Sequence, residues 1–239
     1  MGDTCFLLAN VNRQFPVQLS IINDQSIRRF TAVMVTEPSI ANIDGKPFVS
    51  QHRCWITVTP TTYKEGPTHH AFRSLLYIHK DTPFVQFPTT SPDVTAGVIT
   101  TQTDHIFIAS IYIPGRSRQS STEQDLIEAA SSRLATLSEA FSSAKIKYGE
   151  NLPIIVGGDF NRHDPVWGGI NVPKSQYAGE GEPILQWMHR HDTSSALPCG
   201  TVTFPREKRR DMTMMNRTAT RTTIRPTTRE MSGVGGRRG

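Results

Sequence analysis

A carboxylate and a carboxamide, Asp159 and Asn161, stand two residues apart, directly after an apolar run that ends in two glycines. The run 152–156 is rich in β-branched residues and predicts a strand buried on both faces, as in a parallel or mixed sheet. The glycines would let the backbone turn and let a ligand come close. At the carboxyl end of a strand, Asp159 could take a proton, and Asn161 could bind a phosphate oxygen or a metal. The spacing alone is equally typical of an Asp-x-Asn turn.

A second carboxylate, Glu37, follows the apolar run 31–36 and precedes Pro38. The run predicts a buried strand, and the proline fixes the backbone just beyond it. A carboxylate held in this way is well placed to bind a metal. The alternative is a glutamate at the sheet edge that only meets solvent.

The elements that must position these groups are visible as apolar patterns. Short runs predict strands at 5–12, 31–36, 73–79, 96–100, 105–113 and 200–204, with β-prone pieces such as 54–59 inside a loop-rich region, 41–70. Helical spacing predicts helices from Pro16 to about Gln25, at 123–148, and from Pro183 to about Arg190. Ser120 with Glu123, or Ser121 with Gln124, could form a capping box for the long helix. That helix leads into the Asp159 strand, so the two form one αβ unit, and 162–169 is a predicted loop.

The charge of the chain is unevenly distributed. The 239 residues carry a formal net charge of +5, but residues 206–239 hold ten Lys or Arg and three Asp or Glu. Residues 1–205 therefore hold 16 basic and 18 acidic residues, a net of −2. The basic character belongs to the tail and gives no argument that the folded part binds nucleic acid. Three scattered cysteines and the lack of a long apolar run predict an intracellular protein, nuclear or cytoplasmic, without a membrane span.

The sequence around Asp159 resembles that of a known superfamily. Gly157-Gly158-Asp159-Phe160-Asn161, followed by His163, Pro165 and Trp167-Gly168-Gly169, is similar to the endonuclease/exonuclease/phosphatase superfamily. The similarity is greatest to the endonuclease domain of non-LTR (LINE-type) retrotransposons and covers about 5–205. It implies an α/β fold of two packed mixed or antiparallel sheets flanked by helices, a four-layer sandwich.

The resemblance also implies a metal site. In the family a strand ending in an asparagine is followed by a helix and then by a strand ending in Glu-Pro. Asn10 and Glu37 occupy those places, and they are expected to help bind a divalent metal. Asn12 competes with Asn10, because either amide could face the site. Oxygen ligands suit Mg²⁺, with Mn²⁺ as the second choice, rather than zinc.

The remaining roles concern the phosphate and the water. By resemblance Tyr112, at the end of its strand, reaches the scissile phosphate, Asp159 orients the attacking water, and Asn161 grips the phosphate. Thr203 matches a threonine that lies near the substrate. His163 resembles a general base, but in the relatives its segment mainly shapes the loop beside the site.

The resemblance stops after residue 205. The family continues with a strand carrying an Ile-Asp pair and with a Ser-Asp-His motif, in which the histidine takes the proton from water. Neither occurs here, and no histidine follows His191. We therefore expect an incomplete domain at 1–205, lacking its last strands, and a basic, disordered tail at 206–239.

Two functions remain open at this point. The first is a Mg²⁺-dependent DNA endonuclease impaired by the missing Asp-His motif, with DNA as substrate and no obligate protein partner. The second is a catalytically inactive remnant that binds nucleic acid nonspecifically through its basic tail, with strong salt dependence.

Overall fold

Two sheets pack face to face in the computed structural model, which describes residues 4–64, 66–67, 70–116, 122–169, 172, 179–201 and 222–223. The strands are β1 (Cys5–Asn10), β2 (Ala32–Thr36), β3 (Ile40–Ile43), β4 (Lys46–Val49), β5 (Trp55–Val58), β6 (Ser74–His79), β7 (Phe84–Phe87), β8 (Val94–Thr100), β9 (His105–Tyr112), β10 (Ile154–Asp159) and β11 (Thr222–Thr223). The α-helices are α1 (Phe15–Asn23), α2 (Glu123–Tyr148), α3 (Pro165–Gly168) and α4 (Glu182–Arg190), and a 3₁₀ helix spans Gln25–Arg29.

The first sheet has the strand order β11-β1-β2-β6-β5, and the second has the order β10-β9-β8-β7. Within the first sheet β1 runs parallel to β2, and within the second β10 runs parallel to β9. The pairings of β2 with β6, β6 with β5, β8 with β9 and β7 with β8 are antiparallel. The mixed sheets confirm the predicted fold class.

Three apolar layers hold the sandwich together. One lies between the sheets and includes Phe6, Met34, Leu76 and Ile108. The second joins α2 and α4 to the outer face of the second sheet, and the third joins α1 to the outer face of the first. The order of layers is therefore helix, sheet, sheet, helix, and within the described residues no helix is long and apolar enough to cross a bilayer.

Strand β10 corrects one expectation. It is parallel to β9, as predicted, but only Gly157 among its six residues is fully buried. Both faces are covered, with Ile155 in the layer between the sheets and Ile154 and Val156 against the α2 layer, but these side chains stay partly exposed because β10 is an end strand of its sheet within the described residues. An apolar run does not distinguish an end strand from a central one.

The two glycines of β10 serve packing between strands and sheets. A Cβ on Gly158 would lie 1.9 Å from the carbonyl oxygen of Ile111 in β9, and a Cβ on Gly157 would lie 2.7 Å from the Met34 Sδ of the facing sheet. Neighbouring protein atoms therefore exclude a side chain at both positions. The sequence analysis instead attributes the two glycines to the close approach of a ligand.

Further differences are local. The predicted capping boxes of α2 are wrong, because Thr122 is the N-cap and exchanges hydrogen bonds with Asp125. The region 41–70 contains the β3–β4 hairpin and β5, and the predicted loop 162–169 contains α3. Of the predicted strand 200–204 only residues 200–201 are described. The predicted tail lies outside the described residues apart from Thr222–Thr223, whose backbone pairs with β1.

The glycine contacts give a stability prediction. Gly158→Ala should lower the free energy of unfolding by about 2 kcal/mol or more, because a backbone carbonyl blocks the methyl group. Gly157→Ala, the matched control in the same strand, should cost less, since the flexible Met34 side chain can move. Urea unfolding of both variants would measure the difference. Equal stabilities would contradict this account of the strand packing.

Candidate active site

The site forms where two pairs of parallel strands end, one pair in each sheet. Asn10 lies opposite Thr36 at the ends of β1 and β2, and Asp159 lies opposite Tyr112 at the ends of β10 and β9. Strand β10 packs against β1 and β2, so these ends are neighbours across the sandwich. The polar residues that follow apolar strands in the sequence therefore meet at a single edge of the molecule.

The Asn10 amide lies between two carboxylates from different sheets. Its Nδ2 donates hydrogen bonds to Asp159 Oδ2 at 2.7 Å and to Glu37 Oε2 at 3.3 Å. Its Oδ1 accepts from the backbone N–H of Asn12 at 2.8 Å, which fixes the orientation of the amide. Of the two asparagines left open by the sequence, Asn10 is the one whose side chain joins the carboxylates.

Glu37 has a left-handed backbone conformation with φ of 49°. Its N–H donates to Arg73 O at 2.9 Å, and its carbonyl accepts from Arg13 N at 2.7 Å. The Arg13 guanidinium lies 3.8 Å from Glu37 Oε1. A left-handed glutamate costs roughly 1–3 kcal/mol, and such strain is concentrated at functional positions where the surroundings hold it in place.

The electrostatics of Asp159 reflect its partly buried position. Burial raises the pKa of Asp159, and the nearby Glu37 charge raises it further. The hydrogen bonds from the Asn161 backbone and from the Asn10 amide act in the opposite direction and lower the pKa, because they favour the charged carboxylate. A carboxylate in this balance is suited to hold a water and to exchange a proton.

Tyr112 is half-buried at the same edge. Burial raises the pKa of its phenol, and the charges of Glu37 and Asp159 add to the rise. The Arg73 guanidinium, 4.5 Å from the centre of the ring, opposes it. Tyr112 therefore stays protonated at neutral pH and can act as a hydrogen-bond donor.

Asn161 is anchored beside Asp159. Its backbone N–H donates to Asp159 Oδ1 at 3.1 Å, and its Nδ2 donates to the carbonyl of Ile113 at 3.0 Å. Its φ of 47° lies in the left-handed region, which asparagine tolerates better than most residues. Buried Arg162 donates to the carbonyls of Pro114 and Leu126 and so holds this turn against β9 and α2.

Some site residues are not evident from the sequence. Arg73 and Arg133, both partly exposed, form a charge cluster with the buried Asp93 carboxylate beside Tyr112, although Asp93 and Arg133 lie far from any motif. The only available signal was an arginine at the start of the buried run 73–79. Of the predicted residues, Thr203 lies outside the described residues, and His163 is exposed on the loop after Asn161.

The donor set suits a hard divalent cation. Glu37 and Asp159 present carboxylate oxygens on either side of a neutral amide, and the charge of Glu37 disfavours the ionised form of Asp159. A cation between them would relieve that repulsion, and oxygen donors fit Mg²⁺ or Mn²⁺. Within the described part of the chain, no group of three or more His, Cys, Asp or Glu side chains could hold a metal, so the remaining ligands would be amide oxygens or waters.

Comparison with sequence families gives a match to the model described as endonuclease-reverse transcriptase, over residues 106–232. The match includes β9 from its second residue, α2 and β10, and thereby Tyr112, Asp159 and Asn161. It runs beyond residue 205, where the sequence analysis places the end of the domain. No curated protein matches the sequence.

Comparison with solved structures shows the fold. The endonuclease domain of TRAS1, a telomere-specific non-LTR retrotransposon, has a TM-score of 0.54 and 16% identity, over 82% of this chain and 75% of that one. The human Nocturnin catalytic domain has a TM-score of 0.46 and 12% identity, over 69% and 65%. A Staphylococcus aureus beta toxin has a TM-score of 0.48 and 12% identity, over 78% and 71%.

The position of the Asn10 amide predicts a pKa change. Asn10→Ala removes a hydrogen bond to the charged form of Asp159, so the pKa of Asp159 should rise further above its usual range. Carboxyl-carbon NMR across a pH series in metal-free buffer would measure it, with Asp159→Asn used to assign the signal. Asn23→Ala, which removes an exposed amide bonded to Leu19 O, is the control. A pKa of Asp159 that falls or stays the same would contradict the described role of Asn10.

Proposed function

This chain belongs to the endonuclease-reverse transcriptase family, and from that premise we propose that it is a divalent-metal-dependent DNA endonuclease that hydrolyses a phosphodiester bond. The observation that supports this most strongly is the pair of carboxylates, Glu37 and Asp159, held on either side of the Asn10 amide. The TRAS1 domain, whose fold this chain shares, is itself the endonuclease of a non-LTR retrotransposon.

Metal binding is assigned to Glu37, with Asp159 beside it. A bound Mg²⁺ or Mn²⁺ would offset the negative charge that develops on the phosphate and on the leaving oxygen. Asn10 contributes by orienting both carboxylates. Its own carbonyl oxygen accepts a hydrogen bond from Asn12 N, so ligation by that oxygen would require the amide to turn over.

The remaining groups orient the attacking water and donate hydrogen bonds to the phosphate. Asp159 orients the attacking water and favours loss of its proton. Tyr112 donates its hydroxyl hydrogen to a phosphate oxygen, and Asn161 contributes an amide N–H at the same edge. Thr203 is assigned to substrate contact by resemblance alone.

The expected rate is low. The family's general base is a histidine in a Ser-Asp-His motif, and residues 1–239 contain no histidine after His191. A positioned general base contributes about 10²–10⁴-fold in rate. Asp159 therefore has to act without the partner that performs this step in the family, and cleavage should be slow.

Binding to DNA is assigned in part to the tail. The ten Lys or Arg of residues 206–239 give that segment a net charge of +7, whereas residues 1–205 carry a net charge of −2. Contacts between these cations and phosphates are independent of sequence and weaken steeply with salt. The tail would thus raise the local concentration of DNA without selecting a target.

Nicking of supercoiled plasmid DNA tests the proposal. With Mg²⁺ present, the chain should convert the plasmid to the open circular form, and Glu37→Gln and Asp159→Asn should each lower the rate by about 100-fold, as expected when charge stabilisation or proton transfer is lost. Glu139→Gln, an exposed carboxylate on α2, is the matched control and should cut at the unchanged rate.

A chain extended with an Ile-Asp strand and a Ser-Asp-His motif should cut faster than residues 1–239. Equal rates would show that the general base lies elsewhere, with His163 the first residue to substitute. If nothing is cut and salt-dependent DNA binding disappears on deletion of 206–239, the chain is the inactive remnant instead. Nicking that survives Glu37→Gln would refute the site assignment.

A further inference from the structure

We propose that Arg73, fixed by the buried carboxylate of Asp93, is the positioning residue that holds Tyr112 in place for its contact with the scissile phosphate. The inference rests on the proposed phosphodiesterase function, because it concerns how one side chain of that site is held. It concerns residues that no motif of the chain marks.

Asp93 is the centre of the arrangement. Its side chain is 2% exposed, and its two oxygens accept from Arg73 through a bidentate pair, Nε to Oδ1 at 2.7 Å and Nη2 to Oδ2 at 2.6 Å. A planar guanidinium bound to a carboxylate through two parallel hydrogen bonds can adopt very few orientations. The Arg73 side chain is therefore fixed in direction as well as in distance.

A second guanidinium also donates hydrogen bonds to the Asp93 carboxylate. Arg133, from the middle of α2, donates to Asp93 Oδ2 from Nε at 3.1 Å and from Nη2 at 3.0 Å. Asp93 thus accepts four side-chain hydrogen bonds, and two positive charges surround one negative charge. The cluster retains an excess of one positive charge, next to the Tyr112 ring.

The cluster is attached to Tyr112 at two points. The Asp93 carbonyl accepts from the Tyr112 backbone N–H at 2.9 Å, and the Arg73 guanidinium carbon lies 4.5 Å from the centre of the Tyr112 ring. The first contact fixes the main chain at the end of β9. The second holds the ring through the attraction between a cation and an aromatic face.

Arg73 also contacts the metal side of the site. Its carbonyl accepts from Glu37 N at 2.9 Å, so the residue lies between the proposed metal ligand and the proposed phosphate donor. Packing alone would have been served by an apolar side chain, which avoids the cost of burying charges. The fixed cation, 20% exposed, neutralises the buried Asp93 and at the same time links the Tyr112 ring to the backbone of Glu37.

A double-mutant cycle separates positioning from other roles. Arg73→Met keeps the length of the side chain and removes the cation, and Asp93→Asn keeps the shape of the carboxylate and weakens its hold. With a duplex oligonucleotide as substrate, each should lower kcat by about 10- to 100-fold with KM little changed, because a misplaced group mainly impairs the chemical step. Arg73→Lys should retain an intermediate rate, since an ammonium keeps the charge but loses the bidentate geometry.

The combination of Arg73→Met with Tyr112→Phe tests whether Arg73 acts through Tyr112. If Arg73 acts through Tyr112, Arg73→Met combined with Tyr112→Phe should be no slower than the slower single variant. Multiplied losses would show that Arg73 contacts the phosphate independently, and would overturn the proposal. Lys147→Met, which removes a cation 5.3 Å from the Tyr148 ring on α2, is the matched control and should leave kcat unchanged.

A measurement that needs no catalysis distinguishes the proposed role of Arg73 from the proposed endonuclease function. In tyrosine-labelled protein, the Tyr112 ring signal, assigned by its loss in Tyr112→Phe, should show a lower order parameter, and so a more mobile ring, in Arg73→Met and Asp93→Asn but not in Lys147→Met. If the chain cuts no DNA, the proposed function fails, and this signal alone still decides whether Arg73 holds the ring. An unchanged order parameter of the Tyr112 ring in folded Arg73→Met would overturn the inference. Should Arg73→Met fail to fold, Arg73→Lys and Asp93→Asn provide the same comparison.

Discussion

The amide of Asn10 connects the two sheets at the edge where the site forms. It donates to Glu37, which follows β2 in the first sheet, and to Asp159, which ends β10 in the second. Two carboxylates this close repel each other unless a donor or a cation lies between them. The geometry of the site therefore depends on this single neutral donor, whose orientation is set by the backbone of Asn12.

The side chains on the inner faces of both sheets change from apolar to polar towards this edge. Along β1 the inward residues are Phe6, Leu8 and Asn10, and along β2 they are Ala32, Met34 and Thr36. Strands β6, β8 and β9 change in the same way, from apolar inner residues to Ser74, Thr95 and Ser110. These hydroxyls bond across the sandwich, Ser74 Oγ with Thr95 Oγ1 at 2.9 Å and Ser110 Oγ with Val35 O at 2.9 Å. The apolar layer thus gives way to hydrogen-bonded polar groups at the edge where the candidate site lies.

The sequence predicts those features that follow from local pattern. The apolar runs by themselves indicate that Glu37 and Asp159 follow buried strands, whereas Asn10 and Tyr112 are assigned to the site by the resemblance to the family. The β3–β4 hairpin lies in the region predicted to be rich in loops, although Asp44-Gly45, both with positive φ, is a strong sequence signal for its turn. The pairing of Arg73 with Asp93 was not predictable, because it arises only when two sheets meet.

Binding of a divalent metal at Glu37 and Asp159 is tested most directly by a titration with Mn²⁺ followed by electron paramagnetic resonance. The chain should bind one Mn²⁺, and binding should weaken strongly in Glu37→Gln and in Asp159→Asn, while Asp104→Asn, in the exposed turn before β9, should bind as the unaltered chain does. Mg²⁺ should compete for the same site. Mn²⁺ binding that is unchanged in both Glu37→Gln and Asp159→Asn would contradict the assignment of the site.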